Sequence, residues 1–165
     1  MPLGSAETLA LAGMMGCGKS TVARLLGRLL GRRVVHLDEE IVRAAGRSIA
    51  AIFAEDGEPR FRALEREAVA ALAAGVVADL GGGAFCDPAS AARLLAVGRV
   101  VFLDVSAAEA ARRLRLGVGD GVRPLLDRWP ELLARRLPLY RRAQLTVAVD
   151  GLAPEAVARR ILESL

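Results

Sequence analysis

Thr8-Leu9-Ala10-Leu11-Ala12-Gly13-Met14-Met15-Gly16-Cys17-Gly18-Lys19-Ser20-Thr21 is the stretch that decides how this chain is read. Its first five residues form the short, mostly apolar run expected of a strand buried on both faces. After it, Val22, Leu25, Leu26, Leu29 and Leu30 recur at the spacing of one helical face. Between strand and helix stands a complete phosphate-binding loop. Its glycines let backbone approach a polyphosphate, Lys19 can reach the β- and γ-phosphates, and the Ser20 hydroxyl suits Mg²⁺. The residues expected to hold phosphate are thus Gly13, Met14, Met15, Gly16, Cys17, Gly18, Lys19, Ser20 and Thr21, aided by the positive end of the helix. The bland alternative is a glycine-rich turn that binds nothing.

Lys19 is the only lysine in the chain, and the other 22 basic residues are arginines. A compact ammonium on a flexible stem suits the loop better than a broad guanidinium fork, so the lone lysine stands where that difference matters.

At 165 residues and 53% apolar content, the chain has the size and composition of one domain with a core built from Ala, Leu and Val. The formal charge of +4 raises the question of nucleic acid. The arginines are scattered through helical segments, however, and are not interleaved with aromatics, so a small anionic ligand is the better expectation and nucleic acid is not a predicted partner. Two cysteines, Cys17 and Cys86, make neither a disulfide framework nor a metal site. No leader and no apolar stretch of membrane-spanning length is evident. The expected protein is cytoplasmic and monomeric, with no membrane contact.

Short apolar runs alternate with helical patterns. Strands are predicted over 8–12, 33–37, 76–80, 100–105 and 145–149, with helices from Thr21, up to about Ala74, and from about Pro88, Ala107 and Pro154. This alternation predicts an α/β fold, a five-stranded parallel sheet covered by helices on both faces. Ligands in such sheets bind at the carboxyl ends of the strands. Gly117-Val118-Gly119-Asp120-Gly121, followed by Val122-Arg123-Pro124, breaks the rhythm. It reads either as a mobile lid, over about 112–124, that carries Arg123 to the transferring phosphate, or as an ordinary surface loop.

Four further features fall at predicted strand ends or pocket walls: Asp38 at the end of the second strand, Arg62 with Glu65 one turn on, Gly81-Gly82-Gly83 after the third strand, and Arg136. Singly they read as a helix N-cap, a surface charge, a turn and a solvated arginine. Together they supply a carboxylate for a hydroxyl, two guanidiniums to grip a carboxylate, and a floor without side chains. Those are the needs of a kinase for a small hydroxylated acid.

The ordered set of motifs resembles shikimate kinase along essentially the whole chain. It comprises the loop itself, Asp38 ahead of Gly46-Arg47-Ser48-Ile49, Ile52-Phe53 through Gly57-Glu58 to Phe61-Arg62, Leu80-Gly81-Gly82-Gly83-Ala84, Val122-Arg123-Pro124-Leu125-Leu126, and Arg136-Leu137-Pro138-Leu139-Tyr140. The resemblance implies one phosphate-loop kinase domain that uses ATP with Mg²⁺ to phosphorylate the 3-hydroxyl of shikimate in aromatic amino-acid biosynthesis. It also implies roles: Lys19, Asp38 and Arg123 in catalysis; Asp38, Arg62, Gly81, Gly82, Gly83 and Arg136 for shikimate, within a substrate region of about 38–66; Arg113 against the adenine, with the adenine loop running from Asp150 to Pro154. Phosphorylation of another small hydroxy acid, or a nucleotide-binding module with little turnover, are the competing readings.

At position 36 the chain departs from that family. The family pattern is Asp-x-Asp, whereas this chain reads His36-Leu37-Asp38, so the metal side has lost a carboxylate, and a neutral imidazole is a poor partner for a hard, hydrated cation. Asp79, near the end of the third strand, is expected to compensate by holding Mg²⁺ together with Ser20. The competing readings are that Asp79 bonds local backbone N–H groups and that His36 bonds nearby backbone.

Overall fold

β1 (Thr8–Ala12) is buried at every residue. Successive strand side chains point to opposite faces, so full burial means that both faces of the sheet are covered at its centre. The computed structural model describes residues 3–115 and 128–165. The predicted lid, including Gly117–Gly121, Arg123 and Pro124, lies largely outside those residues.

Five parallel strands form one sheet: β1, β2 (Val34–His36), β3 (Val77–Asp79), β4 (Gly98–Asp104) and β5 (Leu145–Ala148), in the order β2-β3-β1-β4-β5. Seven α-helices accompany it among the described residues: α1 (Lys19–Leu30), α2 (Leu37–Ala45), α3 (Ile49–Ala70), α4 (Pro88–Val97), α5 (Ala107–Arg115), α6 (Trp129–Tyr140) and α7 (Pro154–Glu163). A 3₁₀ turn at Ala84–Cys86 joins the glycine triplet to α4. α1 packs on α7, and α3 packs on α4. None of the described helices is long and apolar enough to cross a membrane.

The predicted strands are all present, trimmed or shifted by a residue or two, with one correction that matters. Asp38 does not end β2. The strand stops at His36, which is the N-cap of α2, and Asp38 sits in that helix's first turn beside Glu39 and Glu40. Carboxylates in a first turn are favoured by the helix dipole, which accounts for the helix beginning where the strand reading continued.

α2 and α3 pack around a small apolar cluster of Ile41, Ile52, Phe61 and Leu64, separate from the main core. Within it Phe53 and Phe61 lie 4.9 Å apart, centroid to centroid. α3 is broken at Gly57, whose φ of 81° and ψ of 173° a side chain would resist. Pro59 follows at once, so the chain bends there and the second half of α3 carries Arg62 and Glu65 toward the end of β3.

At the other side of β1, β4 begins at Gly98, which pairs with Thr8. A Cβ at Gly98 would press on the Thr8 backbone, 2.6 Å from its nitrogen and 2.7 Å from its carbonyl carbon. Gly98→Ala is therefore expected to spread β1 from β4 and lower stability by about 1–3 kcal/mol, read by urea unfolding. An unchanged midpoint would show that the two central strands tolerate the spread.

Candidate active site

The loop between β1 and α1 takes its shape from glycine. Gly13, Gly16 and Gly18 have φ of 146°, 87° and 93°, values that other residues rarely adopt. Gly18 caps α1 without a side-chain hydrogen bond, and no acidic residue occupies the helix's first turn. The first N–H groups and the positive helix end thus remain available to phosphate. The buried Lys19 ammonium donates to the carbonyls of Gly13 at 2.8 Å and Met14 at 3.2 Å, so it is held at the mouth of its own loop.

β3 lies between β1 and β2, and Asp79 pairs in register with Leu11 on one side and His36 on the other. One Asp79 oxygen, Oδ2, accepts from Ser20 Oγ at 2.6 Å and meets His36 Nδ1 at 2.8 Å. An ionised carboxylate has no proton to give, so Nδ1 carries the hydrogen. Both competing readings from sequence thereby fall away: Asp79 is engaged by two side chains, and His36 bonds that carboxylate. A hydroxyl and a carboxylate oxygen side by side at the loop are hard donors that suit a hydrated divalent cation.

Beyond β3 the glycine triplet forms the floor of a cavity of about 770 Å³, walled by Lys19, Ser20, His36, Asp38, Arg62, Glu65, Asp79 and Arg136. A volume of that order holds a small ligand. The floor is bare because charged groups occupy the space of the missing side chains. A Cβ on Gly81 would lie 2.9 Å from both Asp38 Oδ1 and Glu65 Oε2, and one on Gly82 would lie 3.0 Å from Arg136 Nη1. A Cβ on Gly83 would collide with the Arg62 guanidinium.

Arg62 donates to Glu65 Oε1 at 2.8 Å and to Glu58 Oε1 at 3.0 Å. The second oxygen of Glu65 is buried with no hydrogen-bond partner among the described residues. Burial raises the Glu65 pKa above the ordinary carboxyl value even though Arg62 pulls it down, and the nearby Asp38 charge adds to the rise. Loss of solvation wins because Glu65 is 2% exposed, whereas its partner Arg62 is 22% exposed.

Arg136, on α6, is buried in the same cavity. Four residues on, the Tyr140 hydroxyl donates to the Gly82 carbonyl, and its ring stacks on Phe102 at 5.0 Å. On the opposite side of the loop, Arg113 donates to the carbonyls of Cys17 at 3.2 Å and Val149 at 3.0 Å and is held by Glu109 at 2.7 Å. It thus ties the loop to the segment that precedes Asp150–Pro154. Pro154 opens α7.

The structure therefore brings Lys19, Ser20, Asp38, Arg62, Asp79, Gly81–Gly83 and Arg136 to one cavity, and puts Arg113 beside the loop. Arg123 lies outside the described residues. Sequence reasoning gave no role to Glu65, although its spacing of three from Arg62 is that of helical neighbours. Nor did it single out Trp129, whose indole N–H donates to the Met15 carbonyl at 3.1 Å.

A phosphate loop backed by an acidic strand end, opening on a cavity with a carboxylate and two guanidiniums, defines a phosphate-loop kinase for a small molecule. Comparison with known proteins narrows the class. The sequence profile of the shikimate kinase family matches residues 15–165. A shikimate kinase of Streptomyces coelicolor is 45% identical, over 98% of this chain and 96% of its own, and one of Mycobacterium tuberculosis is 44% identical, over 97% and 94%. Among solved structures, shikimate kinase from Acinetobacter baumannii in complex with shikimate superposes with a TM-score of 0.90 at 33% identity, covering 97% of this chain and 93% of that one. The chain belongs to the shikimate kinase family, and it is an ATP-dependent kinase.

The Glu65 shift has a measurable consequence. Folded protein binds this proton more tightly than unfolded protein, so the group's contribution to stability is fullest below the unfolded pKa and is lost as pH rises through the folded one. Glu65→Gln is expected to flatten the stability–pH curve over that span, measured by urea unfolding at stepped pH. An unaltered slope would mean that Glu65 titrates as an ordinary carboxyl.

Proposed function

We propose that this chain transfers the γ-phosphoryl group of ATP to the 3-hydroxyl of shikimate, giving shikimate 3-phosphate and ADP, with the cavity at the end of β3 as its site. The observation that carries this reading is the convergence of Asp38, Arg62 and Arg136 on the glycine triplet, within one cavity with Lys19 and Ser20.

In this reading Arg62 and Arg136 grip the substrate carboxylate, using planar forks that match its two oxygens. Glu65 and Glu58 hold Arg62 in place, and the Tyr140 hydroxyl fixes the Gly82 carbonyl, so the floor and one arm of the clamp are set before substrate arrives. Asp38 receives the proton of the reacting hydroxyl. The hydroxyl oxygen bonds to the γ-phosphorus as the bond from that phosphorus to the β–γ bridging oxygen breaks, and the electron pair leaves with ADP. Little covalent work falls to the protein in such a transfer, which depends on alignment and on neutralising charge. Lys19 and the N–H groups at the start of α1 supply that neutralisation at the β- and γ-phosphates. Arg123 is assigned to the same charge from the lid, and Arg113 to the adenine.

Ser20 and Asp79 are the residues that would hold Mg²⁺, which when bound offsets the negative charge of the β- and γ-phosphates. His36 donates to the same Asp79 oxygen that Ser20 uses, and so orients the carboxylate.

The direct test is ADP release with shikimate against a panel of related hydroxy acids. Turnover is expected with shikimate and to fall sharply for an analogue lacking the carboxylate. Equal rates across the panel would remove the acid clamp from the mechanism. For the metal side, Asp79→Asn is expected to raise the Mg²⁺ concentration giving half-maximal rate by roughly 10–100-fold and to lower kcat more than His36→Ala does. An Asp79→Asn enzyme with unchanged Mg²⁺ dependence would dismiss the assignment.

A further inference from the structure

α6 touches two successive residues of the phosphate loop. At its first residue, Trp129 Nε1 donates to the Met15 carbonyl. Two turns further along, the Arg136 guanidinium directs Nη1 at Met14 Sδ, 3.9 Å away, and the Tyr140 hydroxyl lies 3.6 Å from the same sulfur. Residues 129, 136 and 140 fall on one face of the helix because seven residues make nearly two whole turns and four make slightly more than one. The Tyr140 hydroxyl has a single proton, which goes to the Gly82 carbonyl, so Sδ is left as an acceptor for Arg136. Met14, Trp129, Arg136 and Tyr140 are all buried, and these contacts are therefore not diluted by water.

Met14 consequently faces both halves of the site. Its carbonyl oxygen accepts from the Lys19 ammonium at 3.2 Å and from the Cys17 N–H at 3.3 Å, which ties its backbone to the phosphate side. Its side chain abuts the guanidinium assigned to the substrate acid. Among the described residues, 122 positions of sequence separate the two partners of that sulfur contact, which joins them directly.

We propose that Met14 is a positioning residue that couples the two substrate sites, so that nucleotide on the loop tightens binding of the acid at Arg136 and the acid tightens binding of nucleotide. The physical basis is ordering. Phosphate that takes up the loop N–H groups and Lys19 fixes the Met14 backbone, and this fixes the sulfur against which Arg136 is set. The guanidinium then loses less freedom when a carboxylate arrives. Linkage requires the effect to be the same in both directions. Trp129 holds the next loop residue to the same helix, so loop and helix shift together. The inference rests on the assignment of Arg136 to the substrate carboxylate.

Titration calorimetry of the full chain tests it. The Kd of shikimate is measured with and without saturating Mg²⁺–ADP, and the Kd of Mg²⁺–ADP with and without saturating shikimate, in the natural protein and in Met14→Leu. Leucine keeps the volume and removes the acceptor. The readout is the ratio of the two Kd values, from which any change in a single-ligand affinity cancels. In the natural protein the ratio is expected to be about 5-fold or more, and equal in the two directions. In Met14→Leu it is expected to fall toward unity. Trp129→Phe, which removes the indole donor and leaves Met14 in place, is expected to lower the same ratio and serves if Met14→Leu does not fold. A ratio of unity in the natural protein, or an undiminished ratio in the folded variants, would overturn the proposal. Arg136→Ala separates this failure from failure of the site assignment. If it leaves shikimate affinity without nucleotide unchanged, the acid is held elsewhere and the coupling route through Met14 falls with that assignment. If it weakens shikimate but the Met14→Leu ratio stands, only the coupling is lost.

Discussion

Three consecutive residues without side chains, Gly81 to Gly83, govern where the charged groups of this site sit. Asp38 from α2, Arg62 and Glu65 from α3, and Arg136 from α6 each occupy space that a Cβ at the end of β3 would require. The elements bearing them differ in sequence position and share only this meeting place. Removing side chains from a strand end costs packing and chain entropy, and here it makes room for four ionisable groups to approach one backbone segment.

The balance of charge across that floor is close. Two guanidiniums face two carboxylates, and one of those carboxylates, Glu65, is buried deeply enough that its pKa is raised despite its bond to Arg62. Around Asp79 the arrangement is spare in a different way. A single Asp79 oxygen serves both Ser20 and His36, and the imidazole supplies direction to that carboxylate.

Much of this is legible in the sequence. The loop, the sheet class and the strand-end position of Asp79 follow from local patterns, and a parallel sheet with β3 beside β1 brings Asp79 to Ser20. The placement of Asp38 was less accessible. Whether a residue closes a strand or sits in the first turn of the next helix depends on backbone hydrogen bonding over one or two positions, to which hydrophobic periodicity is blind. α6 is hard to read as a separate element because Trp129-Pro130 and Leu137-Pro138 bracket it with residues that ordinarily mark helix boundaries. Pro130 stands in the opening turn, where no N–H is required of it, and Pro138 falls in the closing turn. The Met14 contact with Arg136 was beyond reach, since nothing local to either residue announces a neighbour so distant in sequence.

The chain has one tryptophan, and its indole nitrogen is bonded to a carbonyl of the phosphate loop. That indole is buried, and among the described residues its N–H bonds the Met15 carbonyl. The protein therefore carries its own optical probe at the loop, through the Met15 carbonyl. A shift of the loop on nucleotide arrival would pull on that one bond, in the unaltered chain and without a dye.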